Sequence, residues 1–281
     1  IPFTSIVKID ITEIPHEKIP ALVERFKSNK IQLVAEKIET YEEFNKFKDM
    51  GFDYFQGYFL AKPEIVRHRK LGPSSLTMME LLTLSSQAKL NFDEVNKIIE
   101  RDPSLTYLLL RFINNPLVNK RHKITSLKHA LTFMGEVEVK KFISLLALAN
   151  LSDGQPTELM QMALVRAKFC ELVYTQLKGA DDPLKGFLTG LLSLLDAMME
   201  QRIDDLVSKV PISDDVKDAL CGSPGVLRNC LTLSQFFERA KWTGIQQFAT
   251  KYGVKQSLLH SYYNEAIKWA KHIHKAALND N

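Results

Sequence analysis

"LVAEKIETYEEFNKFKDMGFDYFQGYFLAKP", residues 33–63, starts as a largely apolar run, crosses a charged amphipathic stretch and ends on an aromatic run closed by Gly57 and Pro63. The apolar run belongs to "IQLVAE", which reads as a strand. Thr40, with Glu43 three residues on, has the form of a capping box opening a helix, and Gly51 stands where that helix would stop. "FDYFQGYF" then reads as a further strand. Upstream, "TSIVKIDI" (4–11) sets Ile6, Ile9 and Ile11 in a β-branched run, and Lys8 and Asp10, two apart, share the other face. A helix over 16–29 connects the first two strands. Strands joined by helical crossovers predict a parallel sheet, the α/β arrangement. In such sheets functional groups collect at the carboxyl ends of the strands, which here offer Lys8, Asp10, Glu36, Glu39 and Gln56.

After Pro63 the pattern changes. "RHRKLGPSS", 67–75, joins a short basic run to Gly-Pro-Ser-Ser and is the expected linker. From Leu76 onward every segment has a helical period. Asp102-Pro103 and Asp182-Pro183 each pair an N-cap with proline at the first helical position, and Gly135 and Gly179 sit where helices would end. Leu105, Leu108, Leu109 and Phe112 form one core stripe, with Asn114 ending the helix; Phe169, Leu172, Val173 and Leu177 form another. About ten helices fit between 74 and 278. No repeat and no low-complexity segment is present.

The composition, 45% hydrophobic and 25% charged over 281 residues, is that of a globular chain and excludes a disordered or collagen-like one. A net charge of +4 gives little basis for binding nucleic acid. The basic runs "NKRHK" (119–123) and "RHRK" (67–70) are short and have no adjoining aromatic platform. Cys170, Cys221 and Cys230 form an odd set without CxxC spacing, which fits a reducing, cytoplasmic location. No apolar run is long enough for a membrane helix, and the start lacks a basic-then-apolar signal. Because the chain opens on Ile1-Pro2, it reads as a fragment of a longer protein.

The segments "KID" (8–10), "AEKIET" (35–40) and "QGYFLAKP" (56–63) resemble, in order and spacing, the second half of an EAL domain, the barrel phosphodiesterase that hydrolyses cyclic di-GMP. There the corresponding text is K-[IL]-D, A-E-G-V-E-T and Q-G-Y-x-x-x-[KR]-P. The resemblance implies that Lys8, Glu39 and Gln56 surround the catalytic water and metal ligands, that Glu36 and Asp10 support them, and that Lys62-Pro63 closes the barrel. The family's E-x-L signature, its ligand Asn and Glu and its D-D pair come from earlier strands that this sequence does not contain. A two-metal site needs several carboxylate or amide oxygens. The chain is therefore expected to be non-catalytic, with Lys8, Glu36, Glu39 and Gln56 vestigial, and Mg²⁺ or Mn²⁺ is expected only in an intact, active EAL domain. Lys37 stands where active members have glycine and adds bulk and positive charge beside the site. Taken alone, Glu36 and Glu39 could equally be exposed polar residues at a strand end; the three motifs together favour a site. Three strands alone would also leave sheet edges unpaired.

In "GFLTGLLSLLDAMMEQR", 186–202, a metal-binding HD domain would read L-L-H-D-I-G-K, and Leu195 holds the histidine position beside Asp196. Metal ligands must converge from several helices. His272 and His274 are two apart and face differently, His122 and His129 flank a turn and a helix start, and His16, His68 and His260 lack ligand-type neighbours. Each reads as a surface or satisfied histidine. "IIERDPSLTYLLLRFINNP" (98–116), "ITSLKHALTFMG" (124–135) and "GFLTGLLSLLDAMM" (186–199) resemble the HDOD domain, a metal-free relative of the HD domains. The whole chain resembles the bacterial EAL-HDOD signalling family related to the YuxH proteins.

The fold expected from this is predominantly α: an HDOD helical bundle over 76–281, preceded by part of an EAL-type α/β barrel over 1–66 and a linker over 67–75. The resemblance implies a cytoplasmic signal-transduction module linked to cyclic di-GMP, acting as a scaffold through contact with a signalling protein such as a kinase or response regulator. Cyclic di-GMP binding and a homodimer are left open, and neither membrane nor nucleic acid is an expected partner. The alternative is a fragment of a cyclic di-GMP phosphodiesterase whose intact parent uses two divalent metals.

Overall fold

The computed structural model describes residues 4–61, 80, 81, 83–85, 89–101, 103–114, 124, 126–151, 156–178 and 182–277. Lys62-Pro63, the expected linker at 67–75, His68, Asp102, the basic run at 119–123 with His122, and Gly179 lie outside them. The chain divides into two compact units, Ile1–Glu64 and Ile65–Asn281.

The first unit runs β1 (Ile6–Asp10), a 3₁₀ turn (His16–Lys18), α1 (Ile19–Lys27), β2 (Gln32–Ile38), α2 (Tyr41–Asp49), β3 (Tyr54–Gly57) and a closing 3₁₀ turn (Phe59–Ala61). The strands are parallel in the order β1-β2-β3. The capping box forms as the sequence predicts: the Glu43 N–H donates to Thr40 Oγ1 at 3.1 Å, and the Thr40 N–H donates to Glu43 Oε2 at 3.2 Å. Gly51 follows α2 at φ 96°, a conformation that favours glycine. Ile9, Ile11, Leu33, Ala35 and Ile38 leave one face of the sheet and bury against Ile19 and Val23 of α1 and Phe47 of α2. Full burial of such side chains contributes about 1.5–3 kcal/mol each, and this apolar face is what holds the sheet to its two helices.

β2 is longer than its sequence suggests. Pairing with β3 runs Glu36↔Gln56 and then Ile38↔Gly57, so Lys37 is an extra residue in a bulge, at φ 64°. By skipping it, the strand returns Ile38 to the buried face, where it is fully enclosed. The bulge also presses β2 onto β3. A Cβ at Gly57 would lie 1.9 Å from the Ile38 carbonyl oxygen, so only glycine fits. β3 is shorter than the expected 52–59 because the chain turns into 3₁₀ geometry at Phe59. The opposite face of the sheet carries Lys8, Asp10, Glu36 and Gln56 together with Ile6 and Tyr54, both about half exposed.

The second unit is helical: α3 (Phe92–Glu100), α4 (Pro103–Ile113), α5 (Leu127–Leu151), α6 (Thr157–Lys178), α7 (Pro183–Leu191), a 3₁₀ turn (Leu192–Leu194), α8 (Leu195–Met199), α9 (Ile203–Val207), α10 (Asp214–Leu220), α11 (Val226–Glu238), α12 (Trp242–Tyr252) and α13 (Gln256–Ala277). Within α5, Gly135 is non-helical, with φ 74° and ψ 170°, so one helical segment ends there, as the sequence predicts, and a second continues beyond the kink. Asn114 ends α4 and does more: its Nδ2 donates to the Leu110 and Ile124 carbonyls, and its Oδ1 accepts the Ile124 N–H at 2.8 Å. Asp182 holds the N-cap position before Pro183, yet its side chain takes no capping hydrogen bond, so proline alone fits the helix start there.

Leu105, Leu109 and Phe112 are buried and Leu108 partly so. Around α6, Phe169 and Val173 join Cys230 and Leu233 of α11, Ile245 of α12 and Leu259 and Ala266 of α13 in one cluster. Gly186 and Gly190, one turn apart on α7, let that helix lie directly on α6. A Cβ at Gly190 would fall 2.2 Å from the Arg166 carbonyl oxygen, and one at Gly186 would fall 2.7 Å from that of Cys170. No helix among the described residues is long and apolar enough to cross a membrane.

Candidate functional site

The parallel register brings the strand ends side by side, with Asp10 opposite Glu36 and Glu36 opposite Gln56. Lys8 Nζ donates to Glu36 Oε1 at 2.5 Å and to Gln56 Oε1 at 3.0 Å, so one ammonium links all three strands. Lys37 answers in the other direction. Its ammonium pairs with Asp10 and lies 4.0 Å from Glu13. The Thr12 N–H and Oγ1 both donate to the other Asp10 oxygen, Oδ1, at 2.9 and 2.6 Å. The hydrogen bond from Lys37, and after it that from Thr12, holds the Asp10 carboxyl down at about 2. The Asp10 carboxylate in turn raises the Lys37 ammonium. Glu39 lies beyond the bulge, exposed, and its N–H donates to Glu43 Oε2 at 2.8 Å beside the α2 cap. The structure thus groups Lys8 with Glu36 and Gln56, and Asp10 with Lys37.

In the helical unit a second polar centre is sealed from water. Arg166 on α6 is 1% exposed; its Nε and Nη2 donate to the two Glu238 carboxylate oxygens at 2.7 Å each, and its Nη1 donates to Ser193 Oγ at 3.1 Å. Leu195 is buried, and Asp196 Oδ1 accepts the Ala197 N–H at 2.9 Å. Burial raises the Asp196 carboxyl; the Ala197 N–H and the charge of Arg166 pull it partly back. A third group centres on buried Lys141, which donates to Glu138 and Glu171 at 2.6 Å each. Burial works to lower the Lys141 ammonium, but the two carboxylates outweigh it and raise it.

Two family models match the chain: the EAL domain over residues 5–63 and the HDOD domain over 71–209. The chain joins part of an EAL domain to an HDOD domain. It is 33% identical over 277 residues to the cyclic di-GMP phosphodiesterase CdgJ of Vibrio cholerae, covering 98% of this chain and 64% of that protein. It is 28% identical over 274 residues to YuxH of Bacillus subtilis, covering 96% of this chain and 66% of that protein. The chain therefore spans slightly less than two thirds of the length of each of these curated relatives. Among solved structures, an HDOD domain protein from Geobacter sulfurreducens superposes with a TM-score of 0.57 at 11% identity, over 76% of this chain and 95% of that one. A candidate signal-transduction protein from Marinobacter aquaeolei superposes with a TM-score of 0.55 at 11% identity, over 94% of this chain and 84% of that one. These two likenesses concern the fold.

The divalent ions that an EAL phosphodiesterase implies do not fit the donors present in the EAL part. Glu36 is taken by Lys8, Asp10 by Lys37, and an ammonium beside a carboxylate opposes a cation there. In the HDOD domain the acid Asp196 stands next to leucine, and its charged neighbour is a guanidinium. Among the described residues no three His, Cys, Asp or Glu side chains converge so as to hold a metal ion.

Three of the described histidines have partners for their rings. His16 Nδ1 lies 3.1 Å from Lys46 Nζ, His272 Nδ1 lies 2.7 Å from the Lys268 carbonyl oxygen, and His260 packs between Phe237 and Trp242.

Sequence reasoning misses Arg166 and Lys141. A signal exists for both: each is a charged residue inside an otherwise apolar helix, in "MALVRAKFCELV" and "VKKFISLLAL", where burial demands a partner. Glu238 comes from α11, beyond the range matched to the HDOD model. The terminal helices thus complete the centre that begins on α6.

Proposed function

We propose that the chain serves in bacterial cyclic di-GMP signalling as a non-catalytic module, with the HDOD domain binding a signalling protein and the EAL part, Lys8, Glu36, Glu39 and Gln56 included, vestigial as a hydrolytic site. The observation that carries this reading is that Asp10 and Glu36 each already hold a lysine from the neighbouring strand, so their charge is spent within the protein. The HDOD domain contributes in the same sense, because Arg166 and Glu238 satisfy each other beside Asp196. A signalling kinase or response regulator is the expected class of partner, and cyclic di-GMP the expected signal. In this reading the EAL part covers 1–66 and the HDOD domain 76–281, in a cytoplasmic protein.

A second reading is favoured by one observation: Lys8 still bonds both Glu36 and Gln56, in a chain 33% identical to a cyclic di-GMP phosphodiesterase. Under it, the intact parent hydrolyses cyclic di-GMP with the ligands of earlier strands.

Metal analysis of the purified chain after dialysis against divalent salts tests the first reading. No stoichiometric iron, zinc, magnesium or manganese is expected. One bound equivalent per chain would overturn it.

A further inference from the structure

Lys37 sits in a place that argues against any side chain. Its φ of 64° lies in the left-handed region, where a Cβ meets the backbone and glycine is the unstrained choice. It is also the residue that the bulge leaves out of the pairing between β2 and β3. In an unbroken strand, residue 37 would follow Leu33 and Ala35 onto the buried face. The bulge frees it from that alternation, and its ammonium reaches across to β1, pairing with Asp10 and lying within 4.0 Å of Glu13. Lys8 on β1 reaches in the opposite direction to Glu36 on β2. The two strand ends therefore exchange lysines: each acid of the Asp10–Glu36 cross-strand pair is neutralised by the lysine of the other strand.

We propose that Lys37 is a built-in cation of the strand-end cluster, its ammonium filling the charge-balancing place between Asp10 and Glu13 and closing that place to divalent metal. It acts by position and charge and is not a catalytic residue. A residue in a strained conformation persists where the surroundings over-determine it, and the pairing with Asp10 supplies that reason here. The inference rests on the reading of the strand ends as a site without its metals. It concerns metal affinity alone, with no nucleotide, so its failure leaves the test of hydrolysis untouched.

The test is a Mn²⁺ titration followed by the loss of the free-ion electron paramagnetic resonance signal, on the full chain and three variants. Lys37→Gly removes the charge at a position that glycine suits, so the fold is kept. Lys37→Gln keeps the bulk and removes only the charge. Lys37→Gly with Asp10→Asn removes the acid as well. Placing a single positive charge beside a doubly charged ion weakens binding by about tenfold or more. Both single variants are therefore expected to bind one Mn²⁺ at least about tenfold more tightly than the parent chain, and the double variant is expected to lose that gain. Equal affinity in the parent and both single variants would overturn the proposal. So would a gain confined to Lys37→Gly, which would assign the effect to bulk, or a gain that survives Asp10→Asn.

Discussion

Lys8–Glu36 in the EAL part and Arg166–Glu238 in the HDOD domain both join elements distant in sequence through an ion pair, and they differ in contact with water. The side chains of the first are 56% and 27% exposed; those of the second are 1% and 11% exposed. An exposed pair exchanges one hydrated state for another and contributes little, about 0–1 kcal/mol. A buried pair has lost its hydration, so either partner left alone is an uncompensated charge in an apolar interior. The HDOD pair is fixed by the packing of α6, α11 and the 3₁₀ turn and serves to hold them in one arrangement. The strand-end cluster, open to water, holds little of the fold.

The largest expected effect comes from breaking the buried pair. Arg166→Ala should destabilise the HDOD domain by about 3–5 kcal/mol, read from urea unfolding. Replacing both partners with apolar residues, Arg166→Met with Glu238→Leu, should cost much less than the single change. A double variant as damaging as the single would mean that the pair contributes more than it costs to bury.

Next comes Gly190→Ala, which places a Cβ against the Arg166 backbone. Overpacking of this kind costs about 1–3 kcal/mol, and it should loosen the same centre without touching its charges.

Asp196 gives a smaller effect with a definite sign. Burial raises its carboxyl in the folded state, so its contribution to stability is fully present below the unfolded value of about 3.9 and is lost as pH rises through the raised value. Asp196→Asn should therefore raise the melting temperature at pH 7, and the gain should vanish near pH 3. A loss at pH 7 would mean that the charged form is held by Arg166 after all. The smallest effect is expected of Lys8→Met, at less than about 1 kcal/mol. A larger loss would erase the distinction between the two centres.

Much of the fold is legible in the sequence, because local rules and tertiary packing agree there. Thr40 and Glu43 form the capping box that their spacing predicts, and strands separated by helices form the parallel sheet. Where local rules meet packing, they give way. Asp182 holds the N-cap position but leaves the helix start to proline.

The bulge is half legible. The apolar alternation of Leu33 and Ala35 skips to Ile38, a shift that a strand ending at Glu36 conceals. The positions Lys8, Glu36 and Gln56 are readable from motif text, since parallel register follows from strand order. The pairing of Asp10 with Lys37 depends on a left-handed residue that no periodicity announces. Nor does spacing announce Arg166–Glu238, whose partners are 72 residues apart and meet through the packing of two helices.

The most direct test of the central claim, that Asp10 and Glu36 are spent on internal lysines and the strand ends do no hydrolysis in this chain, is turnover itself. Cyclic di-GMP is incubated with the chain and Mg²⁺ or Mn²⁺, and the mixture is chromatographed for the linear dinucleotide. The expected result is no product at any metal concentration. Linear product that grows with enzyme and disappears with Glu36→Gln would contradict it and show that these strand ends still assemble a working two-metal site.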